Sequence, residues 1–230
     1  MNATSIVRVA GLIGEAGRIQ MLSTLLGGGG HSASELATAA AVSPQTASSH
    51  LAKLLSGGLI VSERKGRQRL FRLKNRDVAV AIEALGALAH DPETPAVPEI
   101  RFARTCYDHL AGVLAIALRD ELLKRGAFRV GKDGFAVTSA GERLLTTLEI
   151  DSDWLRSQRR SFAYKCLDWT ERHHHIGGAL GASLLEKFLH RNWIARIRGT
   201  RAVRVTHAGE RGFERLLGIR CASLRARAAA

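Results

Sequence analysis

Small polar side chains crowd one short stretch of this sequence. Glutamine can pair with adenine through two hydrogen bonds, serine and threonine can donate or accept one, and lysine attracts phosphate. Carried on one exposed face of a helix, such groups suit the edges of base pairs in the major groove of duplex DNA. The residues that offer this chemistry are Ser43, Gln45, Thr46, Ser48, Ser49, His50 and Lys53.

Two short helices joined by a tight turn would hold that stretch in place. Ser32 and Glu35 have the spacing of a capping box, which predicts that a first helix starts near Ser32. Ser43 before Pro44 predicts that a second helix begins at Pro44, with residues 39–42 as the turn. The pattern therefore predicts a helix-turn-helix, whose internal packing would use Leu36, Ala37, Val42, Leu51, Leu54 and Leu55.

A basic hairpin is predicted directly after these helices. Two short apolar runs, 59–61 and 70–73, flank a charged turn centred on Gly66. Positions 64–76 hold seven basic residues and no acidic one. An arginine at such a tip can enter the minor groove of DNA, whereas the alternative is a solvated edge strand. The candidates for DNA contact in this wing are Arg64, Lys65, Arg67 and Arg69.

Helical spacing also predicts the elements on either side. An apolar stripe from Val9 to Leu26 predicts one long first helix, which the glycines at 27–30 must end. A last helix is predicted with Val78, Ala81, Ile82, Leu85, Leu88 and Ala89 on one face. The expected organisation is a DNA-binding domain at 1–90, a proline-rich linker at 91–99, a sensing domain at 100–220 and a frayed tail at 221–230.

The second half of the chain contains a repeat. The segment Val137–Arg143 (VTSAGER) recurs as Val205–Arg211 (VTHAGER), and each copy follows a predicted hairpin. A strand-turn-strand-helix unit is therefore reused, and a second winged-helix-like fold is one interpretation. The expected fold class is α+β, mainly helical with small hairpins.

Two cysteines stand near histidines in this half. Cys106 and His109 lie one turn apart in a long helix predicted from Phe102 to Leu118, and Cys166 precedes the histidines at 173–175. Thiolate with imidazole suits a soft or borderline metal ion, or a thiol tuned for oxidation. The alternative for Cys106 is an inert buried thiol on an apolar stripe. Cys106, His109 and Cys166 are therefore candidates for sensing, and no metal site or cofactor is predicted outright.

Composition restricts the partners. The 230 residues carry a net charge of +13, of which residues 101–230 contribute +11 from 24 basic and 13 acidic side chains. This excess either extends an electrostatic footprint on nucleic acid or is a solvated basic surface. With three scattered cysteines and neither a membrane-length apolar run nor a secretory signal pattern, we expect a cytoplasmic protein with reduced thiols. Phosphate loops, nucleophile elbows and His-Glu-x-x-His helices are missing, so we expect no enzyme.

A combination of motifs gives this pattern a family. The Ser-x-His-Leu core at 48–51 is followed by Gly-Leu-Ile at 58–60 and by a Gly-Arg wing running from 66 to 73. In this combination, residues 32–73 resemble the ArsR family of bacterial winged-helix repressors, and the resemblance extends over about the first ninety residues. It implies a homodimer, joined by the first and last helices, that represses transcription from an inverted-repeat DNA operator.

The resemblance also implies release of the operator by an inducer, which could be a metal ion, a small molecule or an oxidant. Positions 34–40 lack the cysteine pair of metal-sensing members, and the last helix offers only Asp77, Glu83 and His90. Neither family metal site is therefore expected. The alternative function is a non-specific architectural protein that binds nucleic acid through charge alone. For either function we expect no contact with a membrane.

Overall fold

The computed structural model describes residues 2–89, 97–197 and 199–229. The chain forms two compact units, residues 1–82 and 83–230. Positions 91–96 of the predicted linker, and His90, lie outside the described residues. Helices joined by small antiparallel strand pairs confirm the α+β class.

The first unit is a winged helix-turn-helix. It begins with helices α1 (Ala3–Ile13) and α2 (Ala16–Leu25), strand β1 (His31–Ser32) and helices α3 (Ala33–Ala39) and α4 (Pro44–Ser56). Strands β2 (Ile60–Lys65) and β3 (Gln68–Leu73) follow, and helix α5 (Arg76–Leu88) continues into the second unit. The sheet order is β1-β3-β2, and the core beneath it includes Met21, Leu22, Leu36, Leu51, Leu54 and Phe71.

Local signals placed the helix-turn-helix correctly. Ser32 and Glu35 form the predicted capping box of α3, and Ser43 caps α4 with Pro44 in its first turn. The wing turns at Gly66, whose φ of 61° lies in the left-handed region that glycine adopts without strain. Strand β1 was not predicted; its two residues pair with Leu70 and Phe71 of β3.

The single long first helix predicted from Val9 to Leu26 is wrong. The chain breaks at Gly14 and Glu15, where the Glu15 carboxylate caps α2 by accepting from the backbone N–H groups of Gly17 and Arg18 at 3.0 and 2.9 Å. The Arg18 guanidinium donates to the Leu12 carbonyl at 2.7 Å and to the Gly11 carbonyl at 2.9 Å. Side chains thus satisfy backbone groups on both sides of the break, which continuous helix would otherwise satisfy.

The apolar face predicted for α5 is mostly exposed. Of its members Ile82 is buried, whereas Ala81, Leu85, Leu88 and Ala89 are exposed. The face that packs inward instead carries Ala79, Ile82, Glu83 and Ala87.

The second unit repeats one order of elements. Its first copy is α6 (Pro98–Phe102), β4 (Arg104–Cys106), β5 (His109–Ala111), α7 (Val113–Lys124), β6 (Phe128–Val130), β7 (Phe135–Val137) and α8 (Ser139–Thr147). Its second copy is α9 (Ser152–Ser157), β8 (Lys165–Leu167), β9 (His174–Ile176), α10 (Gly178–His190), β10 (Ile194–Arg196), β11 (Val203–Val205) and α11 (His207–Leu217). Both copies share one hydrophobic core, which includes Leu114, Phe128, Phe188 and Phe213.

The repeated heptapeptide is confirmed as a structural unit. Thr138 and Thr206 cap α8 and α11, accepting from the backbone N–H of Gly141 at 3.2 Å and of Gly209 at 3.0 Å. A β-carbon on Gly141 would collide with the Ala127 carbonyl, just as one on Gly209 would collide with that of Trp193. Glycine is therefore required where each helix crosses the preceding chain.

The long helix predicted from Phe102 to Leu118 is wrong. Helix α6 ends at Phe102, the β4–β5 hairpin follows, and α7 begins only at Val113. Gly112 separates hairpin from helix with a φ of 88°, and Gly178 occupies the same place in the second copy with the same φ. Because only glycine adopts this backbone readily, the helical spacing of the flanking apolar residues was misleading.

The tail predicted to fray is also ordered. Residues Cys221–Ala229 form helix α12, which packs against α6 and α7 and buries Cys221 and Ala228. Arg225 anchors the helix, because its guanidinium bonds Glu210 at 2.6 Å and lies over the Phe102 ring.

Candidate functional site

Helix α4 presents a polar face to solvent. Ala47, Leu51 and Leu54 point into the core of the first unit, so the opposite side of the helix is left outward. Six of the seven predicted base- or phosphate-contacting residues are exposed on that side or at the N-terminus of α4: Ser43, Gln45, Thr46, Ser48, Ser49 and Lys53.

The start of α4 is preorganised. The Ser43 hydroxyl accepts from the backbone N–H of Thr46 at 3.1 Å and lies 2.9 Å from the Thr46 hydroxyl. Pro44 has no N–H to satisfy, and the helix dipole places partial positive charge at this end. The N-terminus of α4 is thus suited to an anionic phosphate.

His50, the seventh residue, was wrongly assigned to the outward face. It is 9 % exposed, and its Nε2 lies 3.3 Å from the Glu15 carboxylate. Its ring also packs against Gly17, where a β-carbon would lie 3.1 Å from Nε2. The residue therefore ties α4 to the start of α2 and does not belong to the outward, DNA-facing surface.

The wing exposes all four predicted cations. Arg64, Lys65, Arg67 and Arg69 are exposed, and Arg64 stands directly opposite Arg69 across the β2–β3 ladder. Arg69 is steadied by a 3.0 Å bond from Nε to the Ser62 hydroxyl and lies over the Phe71 ring. Like charges placed opposite one another destabilise a hairpin, so this arrangement indicates a requirement other than folding.

Four buried side chains converge in the second unit. Cys106 and His109 are cross-strand partners in the β4–β5 hairpin, and Cys166 and His175 are cross-strand partners in β8–β9. Their ligating atoms all lie within 4.8 Å of one another, and no side chain among them is more than 6 % exposed. The structure thus brings together the three sensing candidates, on strands and not on the predicted helix.

His175 was noted only as part of the histidine run at 173–175 and was not singled out as a sensing candidate. The repeat carries the signal, because Cys106 and Cys166 each begin a Cys-x-Asp triplet. His109 and His175 each begin a His-apolar-small-Gly run that ends at the positive-φ glycine. The two copies thus contribute one cysteine and one histidine each.

A carboxylate lies behind each imidazole. Asp108 Oδ1 lies 3.1 Å from His109 Nδ1, and Asp168 Oδ2 lies 3.4 Å from His175 Nδ1. A carboxylate at Nδ1 keeps the ring proton there and leaves the Nε2 lone pair free. The two Nε2 atoms face each other at 3.1 Å.

Asp168 is a fully enclosed charge beside this cluster. It is fully buried, as is its partner Arg104 at 2.8 Å. Its carboxylate also accepts from the backbone N–H groups of Gly112 at 2.7 Å and of Thr170 at 3.0 Å. Burial alone would raise the pKa of Asp168, but Arg104 and these neighbours hold it well below its usual range.

The cluster perturbs its own titration. The contact with Cys166, 3.9 Å between sulfurs, and burial raise the pKa of the Cys106 thiol to about 12. Burial would lower the pKa of His175, but its contacts with Asp168 and Cys106 raise it to about 9. Without an ion, Cys106 therefore keeps its proton at neutral pH.

Comparison with known proteins identifies the family. Residues 18–63 match the model of a family described as "Helix-turn-helix domain". The chain is 40% identical over 222 residues to the protein named "Uncharacterized HTH-type transcriptional regulator YdfF" from Bacillus subtilis (strain 168), covering 94% of this chain and 98% of that one. The chain belongs to the HTH-type transcriptional regulators. Its helix-turn-helix, α3 and α4, lies within the matched segment.

Solved structures also resemble part of this HTH-type regulator. One is the homodimeric winged helix-turn-helix DNA-binding domain of Mb0332 from Mycobacterium bovis, described as a possible ArsR-family regulator. It is 28% identical and covers 41% of this chain and 88% of its own, with a TM-score of 0.36. Another is reduced HlyU from Vibrio cholerae, 27% identical, covering 39% of this chain and 94% of its own, with a TM-score of 0.36. Within the described part of the regulator, every helix is too short or too polar to cross a bilayer.

Proposed function

We propose that this regulator is a homodimeric repressor that reads an inverted-repeat operator in duplex DNA. Helix α4 would lie in the major groove with Gln45, Ser48 and Ser49 toward base edges, while Ser43, Thr46 and Lys53 take phosphates. Arg64, Lys65, Arg67 and Arg69 of the wing would follow the adjacent backbone and minor groove. The observation that carries the proposal is the outward polar face of α4 followed in the chain by an unneutralised basic hairpin.

The charge arrangement of the wing favours a polyanion over a solvated surface. Arg72 pairs with Glu63 at 2.6 Å, so the hairpin can place a carboxylate beside a guanidinium where folding benefits. Among the described residues, Arg64, Lys65 and Arg67 make no ion pair with a carboxylate. Cations kept unpaired at a hairpin tip are available to phosphates, and their counterions are released on binding.

Two helices offer surfaces for a second copy. Helix α1 buries none of its residues in the single chain, and its Ile6 and Val7 are 49% and 69% exposed. Helix α5 exposes Val80 and Leu88. Apolar residues in this number favour burial against a partner, and two-fold symmetry would place two α4 helices about one DNA turn, roughly 34 Å, apart.

The second unit would carry the response to an inducer in the cytoplasm. The metal-sensing positions of ArsR proteins remain unsupported, because α3 holds no cysteine and Glu83 of α5 is engaged by Arg201. The inducer class would therefore be a small molecule, an oxidant or a metal acting through residues 83–230.

Selection from a pool of random DNA duplexes tests whether the protein recognises a specific base sequence. The full-length protein should enrich one inverted-repeat motif and bind it more tightly than random DNA by about 4 kcal/mol or more at moderate salt. Replacing Gln45 by alanine should cost about 1–3 kcal/mol on that motif. The matched control is Gln20→Ala, another exposed glutamine of the first unit, which should change nothing.

The competing function makes the opposite prediction. An architectural protein would enrich no motif and would bind random duplex as tightly as any selected one, with Q45A and Q20A indistinguishable. That outcome would overturn the proposed repressor.

A further inference from the structure

The buried cysteine–histidine cluster has the spacing of a tetrahedral metal site. Thiolates on one Zn²⁺ at about 2.3 Å would lie about 3.8 Å apart, and imidazole nitrogens at about 2.0–2.1 Å would lie about 3.3 Å apart. The observed separations are 3.9 Å between Cys106 Sγ and Cys166 Sγ and 3.1 Å between His109 Nε2 and His175 Nε2. Without any ion, the two pairs already approximate opposite edges of the expected tetrahedron.

The surroundings complete the requirements of such a site. Ligating histidines in proteins commonly donate their other ring N–H to a carboxylate, which fixes the tautomer and the ring orientation. Asp108 lies 3.1 Å from His109 Nδ1 and Asp168 lies 3.4 Å from His175 Nδ1. Each carboxylate is paired with an arginine of the other copy, Arg160 at 2.7 Å and Arg104 at 2.8 Å. The charges of Asp108 and Asp168 are therefore already balanced by arginines in the absence of an ion.

From this geometry we propose that Cys106, His109, Cys166 and His175 bind one divalent d¹⁰ ion of the zinc class, which joins the two copies of the repeat in the second unit. Two thiolates cancel the charge of a divalent ion, so the loaded site is neutral in an interior that penalises net charge. A monovalent soft ion such as Cu⁺ would leave one negative charge buried there. The choice of ligands thus favours a divalent ion.

The site is closed. All four ligand side chains are buried, and Ala111 and Tyr164 pack around the two sulfurs. A catalytic zinc keeps an open position for water, whereas a structural zinc has four protein ligands. The proposed role is accordingly to hold the β4–β5 and β8–β9 hairpins together and to stabilise the second unit.

Metal analysis of the full-length protein, purified without a histidine tag and with zinc supplied, tests the site. We expect one zinc per chain by elemental analysis. After exchange, Co²⁺ should show the intense visible bands of tetrahedral coordination and a thiolate charge-transfer band in the near ultraviolet. A chelator should lower the unfolding temperature, and zinc should restore it.

Matched variants distinguish the cluster from its neighbours. Cys166→Ser and His175→Gln should lose the metal and the charge-transfer band. Cys221→Ser, which removes the third buried cysteine, and His174→Gln, which removes an exposed histidine beside His175, should retain both. Because these measurements contain no DNA, they are independent of the proposed repressor function.

Several results would overturn the proposal. Wild-type protein supplied with zinc could contain no metal, Co²⁺ could remain octahedral, or mass spectrometry of the purified protein could show Cys106 and Cys166 joined as a disulfide. The Co²⁺ spectrum of the wild type decides the question even where a variant fails to fold.

Discussion

At the scale of single residues, the arginines of the wing are expected to favour DNA binding while they lower the stability of the fold. Arg64 and Arg69 oppose each other across the hairpin, a pairing that costs folding free energy. Arg69 donates to the Ser62 hydroxyl and Arg72 pairs with Glu63, whereas no carboxylate among the described residues pairs with Arg64. Substitution of Arg64 should therefore have opposite effects on folding and on binding.

Arg64→Gln tests that opposition. The variant should be more stable by about 0.2–1 kcal/mol, because the like-charge pair is removed. Its affinity for duplex DNA should fall, and the slope of log affinity against log salt should decrease by about 1. Urea unfolding and salt-dependent fluorescence anisotropy measure the two effects. Arg129→Gln, which removes an exposed charge opposite Ala136 in the β6–β7 hairpin, is the control, and an unchanged slope in R64Q would exclude Arg64 from phosphate contact.

A second residue-scale effect concerns the fully buried pair Arg104 and Asp168. Replacing Asp168 by asparagine leaves the guanidinium buried without its counter-charge. The expected loss of stability is about 3–5 kcal/mol. Chemical unfolding should show this for D168N, whereas Asp153→Asn, which weakens a solvent-exposed pair with Arg156, should cost less than about 1 kcal/mol. Equal stability of the two variants would contradict the assignment of Asp168 as the central acceptor of this site.

At the scale of elements, the sequence predicts those helices and strands whose ends are set by residues nearby in the chain. The caps at Ser32 and Ser43, Pro44 and the glycine of the wing act within a few positions, so α3, α4 and the β2–β3 hairpin follow from local signals. The break between α1 and α2 depends on Arg18 reaching back six and seven residues to the end of α1. Apolar spacing alone could not show it.

The β4–β5 hairpin was hidden for a different reason. Every residue of these two strands is buried, so the alternation of apolar and polar positions that marks a half-exposed strand is missing. Phe102, Cys106 and Leu110 then fit helical spacing by coincidence. The glycine at 112 was the local sign that a helix could not continue through this segment.

The repeated Thr-x-Ala-Gly motif provides the element-scale prediction. Gly209→Ala would force a β-carbon into the backbone of Trp193, so we expect a loss of about 1–3 kcal/mol. Gly131→Ala is the matched control in the same unit, since its new β-carbon would meet only the Gly134 carbonyl at 3.6 Å. Thermal unfolding should separate the two. If G209A is as stable as G131A, the close approach of α11 to the Trp193 backbone is not a constraint on this fold.

At the scale of the whole molecule, the buried cysteine–histidine cluster could be predicted only in part from the sequence. Three of its four residues were singled out by type, but Cys106 and Cys166 are sixty positions apart and meet only because the repeat packs against its own copy. The fourth, His175, follows its cysteine by nine positions, whereas His109 follows by three. The longer connection in the second hairpin concealed the correspondence. Such a site needs the pairing of distant hairpins, which periodicity and capping do not specify.

Dimerisation is the remaining property at the scale of the whole molecule, and the exposed apolar residues on α1 favour it. Val7→Asp would place a charge in the proposed interface between two copies. The variant should sediment as a monomer and lose operator affinity, because one recognition helix would then engage one half-site. The control is Val130→Asp on β6, a valine of similar exposure, 60% against 69%, in the second unit.

Leu88→Asp on α5 should repeat the effect of V7D if both helices join the copies. A V7D protein that stays dimeric would move the interface away from α1, and a V7D monomer that keeps full operator affinity would separate DNA reading from two-fold symmetry.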